Sequence, residues 1–306
     1  MLPPTIRVLE RGWLSSNNIL CLEAESATLV DSGYLTHAAQ TLVLVQQALA
    51  GRPLTRLINT HVHSDHIGGN ATLRREYGCR ISVPAGSAHQ LSAWDEDALL
   101  ISSGHQQGEP FDFDDTLADG DEIMMGGLRW QALAAPGHEM HALVYYAPAE
   151  KILISGDALW EDGFGIMFPA LMGDAAGLPA TRATLDKLAK LDVSAVIPGH
   201  GPAFADHAGA LARAYQRLAA FEASPERMAR NALKALFIFS LLETPRMPRA
   251  EVGPHFGRVP VLREISTRFF HQGPAAVAER IVAELVAAGV LREEAGDLVP
   301  RGVHTQ

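Results

Sequence analysis

The residues best suited to chemistry fall in one short run, THVHSDHIGG at 60–69, where His61, His63, Asp65 and His66 lie within six positions. In an extended segment residues spaced by two share a side, so His61, His63 and Asp65 project together; His66 follows at the turn into a helix. Gly68 and Gly69 let the backbone turn tightly behind them. Imidazole and carboxylate are metal ligands, and four of them converging would form much of a metal site. A single cluster of this kind also fits a solvated polar loop. Three further segments favour the metal: AAPGHEMH sets His138 after a Pro-Gly turn, ILISGDALW sets Asp157 after an apolar strand and a glycine, and AVIPGHGPA repeats Pro-Gly-His at His200. Each is an apolar strand ending in one ligand-type side chain, and strand-end loops on a rigid scaffold are where ligands are held. HEMH at 138–141 is one residue short of the His-Glu-x-x-His zinc-protease helix, and the preceding Pro136-Gly137 opposes a helix.

The elements that must position these residues alternate between strand and helix. SATLVDSG reads as a strand ending in a loop, HAAQTLVLVQQALAG as a helix closed by Gly51, LTRLIN as a strand running into the histidines, and NATLRREYG as a short helix. CRISVPAG is a further strand. The acidic stretch DEDALLISSGHQQGEPFDFDDTLADGDEI reads as a surface insertion, and DEIMMGG, LRWQALAAPGH and ALVYYAPAEKILISGD supply the next strands. After Asp157 a loop carries Trp160, Phe164, Met167, Phe168 and Met172, either as core packing or as an apolar substrate wall. Helix ATRATLDKLAKL, strand VSAVIPGHG and helix ADHAGALARAYQRLAAFEA complete the first unit.

From about 224 the character changes. PERMARNALKALFIFSLL, REISTRFFHQ and GPAAVAERIVAELVAAGV read as helices, and VLREEAGDLVPRG as a hairpin, the outline of a winged helix. Such a module serves nucleic-acid binding, dimer contact or a pocket wall. Charge divides the same way: residues 224–306 carry 11 Lys and Arg against 9 Asp and Glu, and residues 1–223 carry 14 against 26. Two units are expected, 1–223 and 224–306.

The order H-x-H-x-D-H, PGH, GD and PGHG, preceded by LVDSG, resembles the metallo-β-lactamase-fold hydrolase superfamily over about residues 15–205. That resemblance implies an α+β fold, a four-layer αβ/βα sandwich with a binuclear site at one edge, to which the mostly helical, winged-helix-like C-terminal part is added. It assigns His61, His63 and His138 to one metal and Asp65, His66 and His200 to a second, with Asp157 bridging. It implies two Zn²⁺ per chain, with iron or manganese as alternatives, and Asp65 as the principal protein catalyst, orienting a metal-bridging hydroxide. Histidine at 63, where oxygen-reducing di-iron relatives usually carry glutamate, favours hydrolysis.

The implied function is cleavage of a small-molecule ester, thioester, lactone or amide. THVHSDHIGGN is similar to the glyoxalase II type, although the C-terminal part offers no evident basic and tyrosine set for glutathione. The alternative is an endoribonuclease or phosphodiesterase of the same fold, with Arg227, Arg230, Arg246, Arg249, Arg258, Arg263 and Arg268 as its weak basic signal. A net charge of −10 opposes a general nucleic-acid partner. A non-enzymatic binding domain conflicts with seven intact ligand positions. Cys21 and Cys79 are too few for a disulfide framework, which fits a reducing cytoplasm. The longest apolar run, ALKALFIFSLL at 232–242, contains Lys234 and is too short to span a bilayer, so no membrane partner is expected. A homodimer is left open.

Overall fold

The computed structural model describes residues 2–301; His304, which no motif includes, lies outside them. Six strands form the first sheet in chain order: β1 (Ile6–Leu9), β2 (Asn18–Leu22), β3 (Ala27–Val30), β4 (Leu54–Ile58), β5 (Arg80–Pro84) and β6 (Asp115–Leu117). The second sheet comprises β7 (Glu122–Met125), β8 (Leu128–Ala134), β9 (Leu143–Ala147), β10 (Ile152–Gly156) and β11 (Ala195–Pro198). The first sheet is antiparallel from β1 to β3 and parallel from β3 to β6. In the second, only the β10 to β11 pairing is parallel.

Strand periodicity explains the layers. Ile19, Cys21, Val30 and Ile58 of the first sheet pack with Tyr145, Ile152, Ile154 and Ile197 of the second in one buried cluster between the sheets. Their neighbours Leu20, Leu22, Leu29 and Leu57 face the opposite way, onto the helix Ala38–Leu49. On the other side, Val144, Tyr146, Leu153 and Val196 pack with Leu185 and Leu188 of the helix Gly177–Leu188 and with the helix His207–Ala223. Both faces of the central strands are covered, which is why ILISG and NILCL read as unbroken apolar runs. Helix, sheet, sheet and helix form the four expected layers.

The cluster outside the second sheet continues into the C-terminal part. Ser224 caps both the helix ending at Ala223 and the helix Pro225–Glu243, whose Leu233 and Phe237 are buried with Phe256, Ile265 and Ile281 from the helices Val252–Arg258, Pro260–Phe270 and Pro274–Ala287. A three-stranded sheet of β12 (Met247–Pro248), β13 (Leu291–Glu294) and β14 (Asp297–Pro300) follows, with β14 in the middle. The hairpin is as expected; β12 is two residues long and has no sequence pattern of its own.

The acidic stretch differs from a plain surface insertion. Leu99 and Ile101 are buried against the first sheet's outer cluster, and Asp115–Leu117 pairs in parallel with β5 as an edge strand. Isolated apolar residues in an acidic run carry no period, so pairing with β5 decides this segment.

Close approach makes Gly68 a structural requirement. A Cβ there would lie 2.7 Å from the Tyr34 carbonyl carbon and 2.8 Å from the Ser64 carbonyl oxygen, and against the Leu35 amide. Backbone cannot yield as a side chain can. Gly68→Ala is expected to cost about 1–3 kcal/mol, measured as a lowered urea midpoint against wild type; an unchanged midpoint would show that the two segments are free to separate.

Candidate metal centre

The seven residues arrive from four strand ends. β4 delivers His61 and His63 on extended chain, and the turn Ser64–Ile67 adds Asp65 and His66. His138 follows β8, Asp157 follows β10 and His200 follows β11. Six of the seven are buried, and Asp65 is 15% exposed. The structure therefore brings together every ligand-type residue singled out in the sequence.

Their nitrogens point inward. His61 Nε2 lies 3.0 Å from His63 Nδ1, His63 Nδ1 lies 2.7 Å from His138 Nε2, and His138 Nε2 lies 3.2 Å from His61 Nε2. The opposite edges of two of these rings are tied to acceptors, which fixes the tautomer. His138 Nδ1 donates to the Ile166 carbonyl at 2.5 Å. Thr60 gives its only hydroxyl proton to Asp31 Oδ2 at 2.8 Å, so its oxygen accepts from His61 Nδ1 at 3.1 Å. Both Nε2 atoms thus present lone pairs. Crowded acceptors in a buried space fit a cation between them.

A second group lies beside the first. His200 Nε2 is 3.0 Å from Asp65 Oδ2, and His66 Nε2 is 3.7 Å from the same oxygen. Asp157 lies between the two groups, with Oδ1 3.5 Å from His66 Nε2 and Oδ2 3.4 Å from His138 Nε2. His66 Nε2 is buried and has no hydrogen-bond partner among the described residues, the state of a donor atom aimed at an ion. Gly199 permits this density, because a Cβ there would sit against Asp157 Oδ1 and 3.0 Å from His66 Cε1.

Electrostatics agree with a metal site. Burial, reinforced by neighbouring imidazoles, holds His61 and His63 well below the usual histidine range, so both rings are neutral as ligands must be. Burial also lowers His138. At His66 burial opposes charge, but the carboxylates of Asp31, Asp65 and Asp157 outweigh it and push the group well above the ordinary value. Three buried or half-buried carboxylates around one ring demand positive charge there, from a proton or from a metal ion.

Asp31 is the residue whose role the sequence left unread. It stands in LVDSG with φ +58°, a left-handed conformation that Asp tolerates better than most side chains. Its Oδ1 accepts from the Thr60 amide at 2.8 Å; its Oδ2 accepts from the Thr60 hydroxyl and from His66 Nδ1, each at 2.8 Å. It thereby directs His66 Nε2 into the centre. Trp13 was also missed: it is 57% exposed and stacks on His200 at 5.3 Å and 3°. A lone tryptophan in a turn has no distinguishing pattern.

Of the loop after Asp157, Trp160 and Phe168 do line the cavity beside the centre, with Phe168 edge-on to His63 at 5.1 Å. Phe164 and Met167 are buried in the core, and Met172 packs against it. His141 is exposed, lies over Gly86 and takes no part in the cavity lining. Glu139, next to His138, is pushed up to about 7 by burial.

A family profile described as the metallo-beta-lactamase superfamily matches residues 11–200. A hydroxyacylglutathione hydrolase of Rhodospirillum rubrum is 29% identical over 172 residues, 55% of this chain and 58% of that protein. One from Ectopseudomonas mendocina is 33% identical over 115 residues, 38% of this chain and 37% of its own length. The chain thus spans between about a third and three fifths of the relatives it matches. Among solved structures, a metallo-beta-lactamase family protein from Thermus thermophilus aligns over 98% of this chain and 100% of its own, with TM-score 0.59 and 22% identity. The FEZ-1 metallo-beta-lactamase from Legionella gormanii aligns over 73% of this chain and 94% of its own, with TM-score 0.60 and 13% identity. With a profile covering well over half its length and the inward-facing histidine and aspartate set in place, this chain belongs to the metallo-beta-lactamase superfamily.

Proposed function

We propose that the chain is a metal-dependent hydrolase holding two zinc ions, which cleaves an ester, thioester, lactone or amide bond of a small molecule. The observation that carries this reading is the pair of donor groups joined through Asp157: His61, His63 and His138 on one side, Asp65, His66 and His200 on the other. Nitrogen and oxygen donors without thiolate suit zinc, and both cysteines are buried in strand and turn packing elsewhere. Relatives named hydroxyacylglutathione hydrolase support hydrolysis as the reaction class. Residues 1–223 would form the catalytic unit and 224–306 a winged-helix-like unit. The strand order β12, β14, β13, with three helices between β12 and β13, supports that likeness.

When bound, the two metals would acidify a shared water and polarise the scissile group. The chain's own residues do the rest. Asp31 and Thr60 hold His66 and His61 in the ligand tautomer, Ile166 does so for His138, and the buried sheet edge keeps bulk water away from one side. Asp65, held by His200 and the least buried of the seven, would orient the attacking water and carry its proton to the leaving group; its exposure and that contact support the role.

The nuclease alternative draws less support. Arg230, Arg246, Arg249, Arg258 and Arg268, five of the seven arginines that suggested it, are paired with carboxylates of the same chain. Charges neutralised in this way form no basic footprint for a phosphate chain.

Three outcomes are expected. Purified protein should carry about two zinc equivalents by elemental analysis, and His63→Ala should lose at least one together with hydrolysis of a panel of lactones, thioesters and esters; unaltered metal content and turnover would sink the assignment. Asp65→Ala should lower kcat by roughly 10²–10⁴ with the first metal retained, and a change in KM alone would remove Asp65 from its catalytic role. Asp31→Asn keeps the shape but alters the acceptor for His66, and should weaken metal affinity by about 10–100-fold in a competitive chelator titration.

A further inference from the structure

The centre opens into a cavity of about 1410 Å³, larger than the roughly 300–1,000 Å³ of an ordinary small-molecule pocket. One wall is the helix Pro225–Glu243. Besides Leu236, its residues Asn231, Lys234, Ala235, Ile238, Phe239 and Leu242 line the cavity, and the spacing of three and four among these six places them on one face. This face is graded. Its beginning is polar: Asn231 accepts from Arg217, and Lys234 pairs with Glu284. From Ala235 to Leu242 every lining residue is apolar, a stripe of about 10 Å at 1.5 Å per residue, the reach of a medium-length acyl chain.

Cationic groups line the same cavity, one of them, Arg217, bonded to the polar beginning of this helix wall. Arg217 and Arg11 both line the cavity, and their side-chain hydrogen-bond partners are neutral: Asn231 for Arg217, and Asn18, Thr41 and Gln40 for Arg11. Neither forms an ion pair among the described residues. Burial lowers both, Arg11 to about 10, the signature of guanidinium charge held in a poorly solvated place without a carboxylate. Arg217 also lies against Gly163, whose backbone pairs with Trp160, and Trp160 meets His200 at 5.5 Å. The metal centre, the guanidinium groups and the apolar stripe therefore share one space.

We infer that the substrate is an apolar acyl chain joined by an ester or thioester bond to an anionic carrier, with the chain lying along Ala235, Ile238, Phe239 and Leu242 and the carrier's charge at Arg11 and Arg217. This rests on the hydrolase reading above and names its substrate class. The reaction balances with water alone: the acyl carbon gains a bond to the water oxygen and loses its bond to the carrier's oxygen or sulfur, and a proton from water ends on that leaving atom.

The test uses zinc-loaded full-length protein and straight-chain acyl-CoA thioesters from acetyl to dodecanoyl, compared with N-acetylcysteamine thioesters of the same chains as an uncharged carrier. Burial of a methylene is worth about fourfold, so kcat/KM should rise at least tenfold from acetyl to octanoyl and be higher on the CoA carrier. Ala235→Phe, at an exposed helix position, should shift the optimum to shorter chains, and Ile238→Asp should reduce the octanoyl-to-acetyl ratio towards one. Arg217→Ala should raise KM for the CoA series more than for the uncharged series. Binding of non-hydrolysable acyl-CoA thioethers by calorimetry separates the two readings. Affinity that climbs with chain length in a protein that cleaves neither series would keep the binding inference and remove the hydrolase. A flat chain-length dependence overturns the inference whether or not hydrolysis occurs, and equal KM changes for both carriers would overturn the anionic part.

Discussion

The carboxylate of Asp31 is the constraint on which both fold and centre depend. It sits at the end of β3 and accepts from the backbone and hydroxyl of Thr60 beyond β4 and from His66 on the following turn. Parallel strands have no short turn to set their register, so side-chain hydrogen bonds at their carboxyl ends are one of the few local means of fixing how they meet. The cost is a buried charge, which is tolerable only with its acceptors fully engaged. Here three donors engage it, and the same bonds that satisfy it orient two imidazoles. Structure and site are thereby coupled: loosening Asp31 unfixes a strand end and the His66 imidazole together.

From that point the layers follow by alternation. β2, β3, β4, β9 and β10 present one apolar set to the space between the sheets and another to the helices. A polar side chain within such strands must find a hydrogen-bond partner there, as Asn18 does at the Asp31 carbonyl and Ser155 at the Leu159 carbonyl. The polar groups therefore concentrate just past the strand ends, where the backbone leaves the sheets. His61, His138, Asp157 and His200 converge because four strands end at the same edge, and Gly199 lets the last of them come close enough.

Much of this was legible because strand periodicity and ligand type reinforce each other. H-x-H-x-D-H after LTRLIN, and Pro-Gly-His after an apolar strand, each carry a local pattern. What could not be read had none. Asp31 looks like an ordinary strand-end turn residue, since its partners lie 29 and 35 positions away. Trp13 is a single aromatic in a turn whose stacking partner lies 187 positions further on. The strand Asp115–Leu117 is hidden in an acidic run because three residues are too few to show a period, and its identity comes from the edge of β5.

The C-terminal helices illustrate the opposite relation between sequence and role. ALKALFIFSLL is apolar on more than one side despite Lys234 and Ser240, and Leu233, Leu236, Phe237 and Leu241 account for one side by packing in the core. Ile238, packed against the edge of that core, Phe239, edge-on to Tyr34, and Leu242 also line the cavity beside the histidine and aspartate cluster. An apolar group covering such a face would gain roughly 25 cal/mol per Å² removed from water, which is the driving force for the proposed acyl chain to lie there. The histidine and aspartate set is held at strand ends. The second face lies on a helix of the C-terminal part, whereas the histidine and aspartate set and the cavity's Arg11 and Arg217 come from the first part, so both parts of the chain line one space.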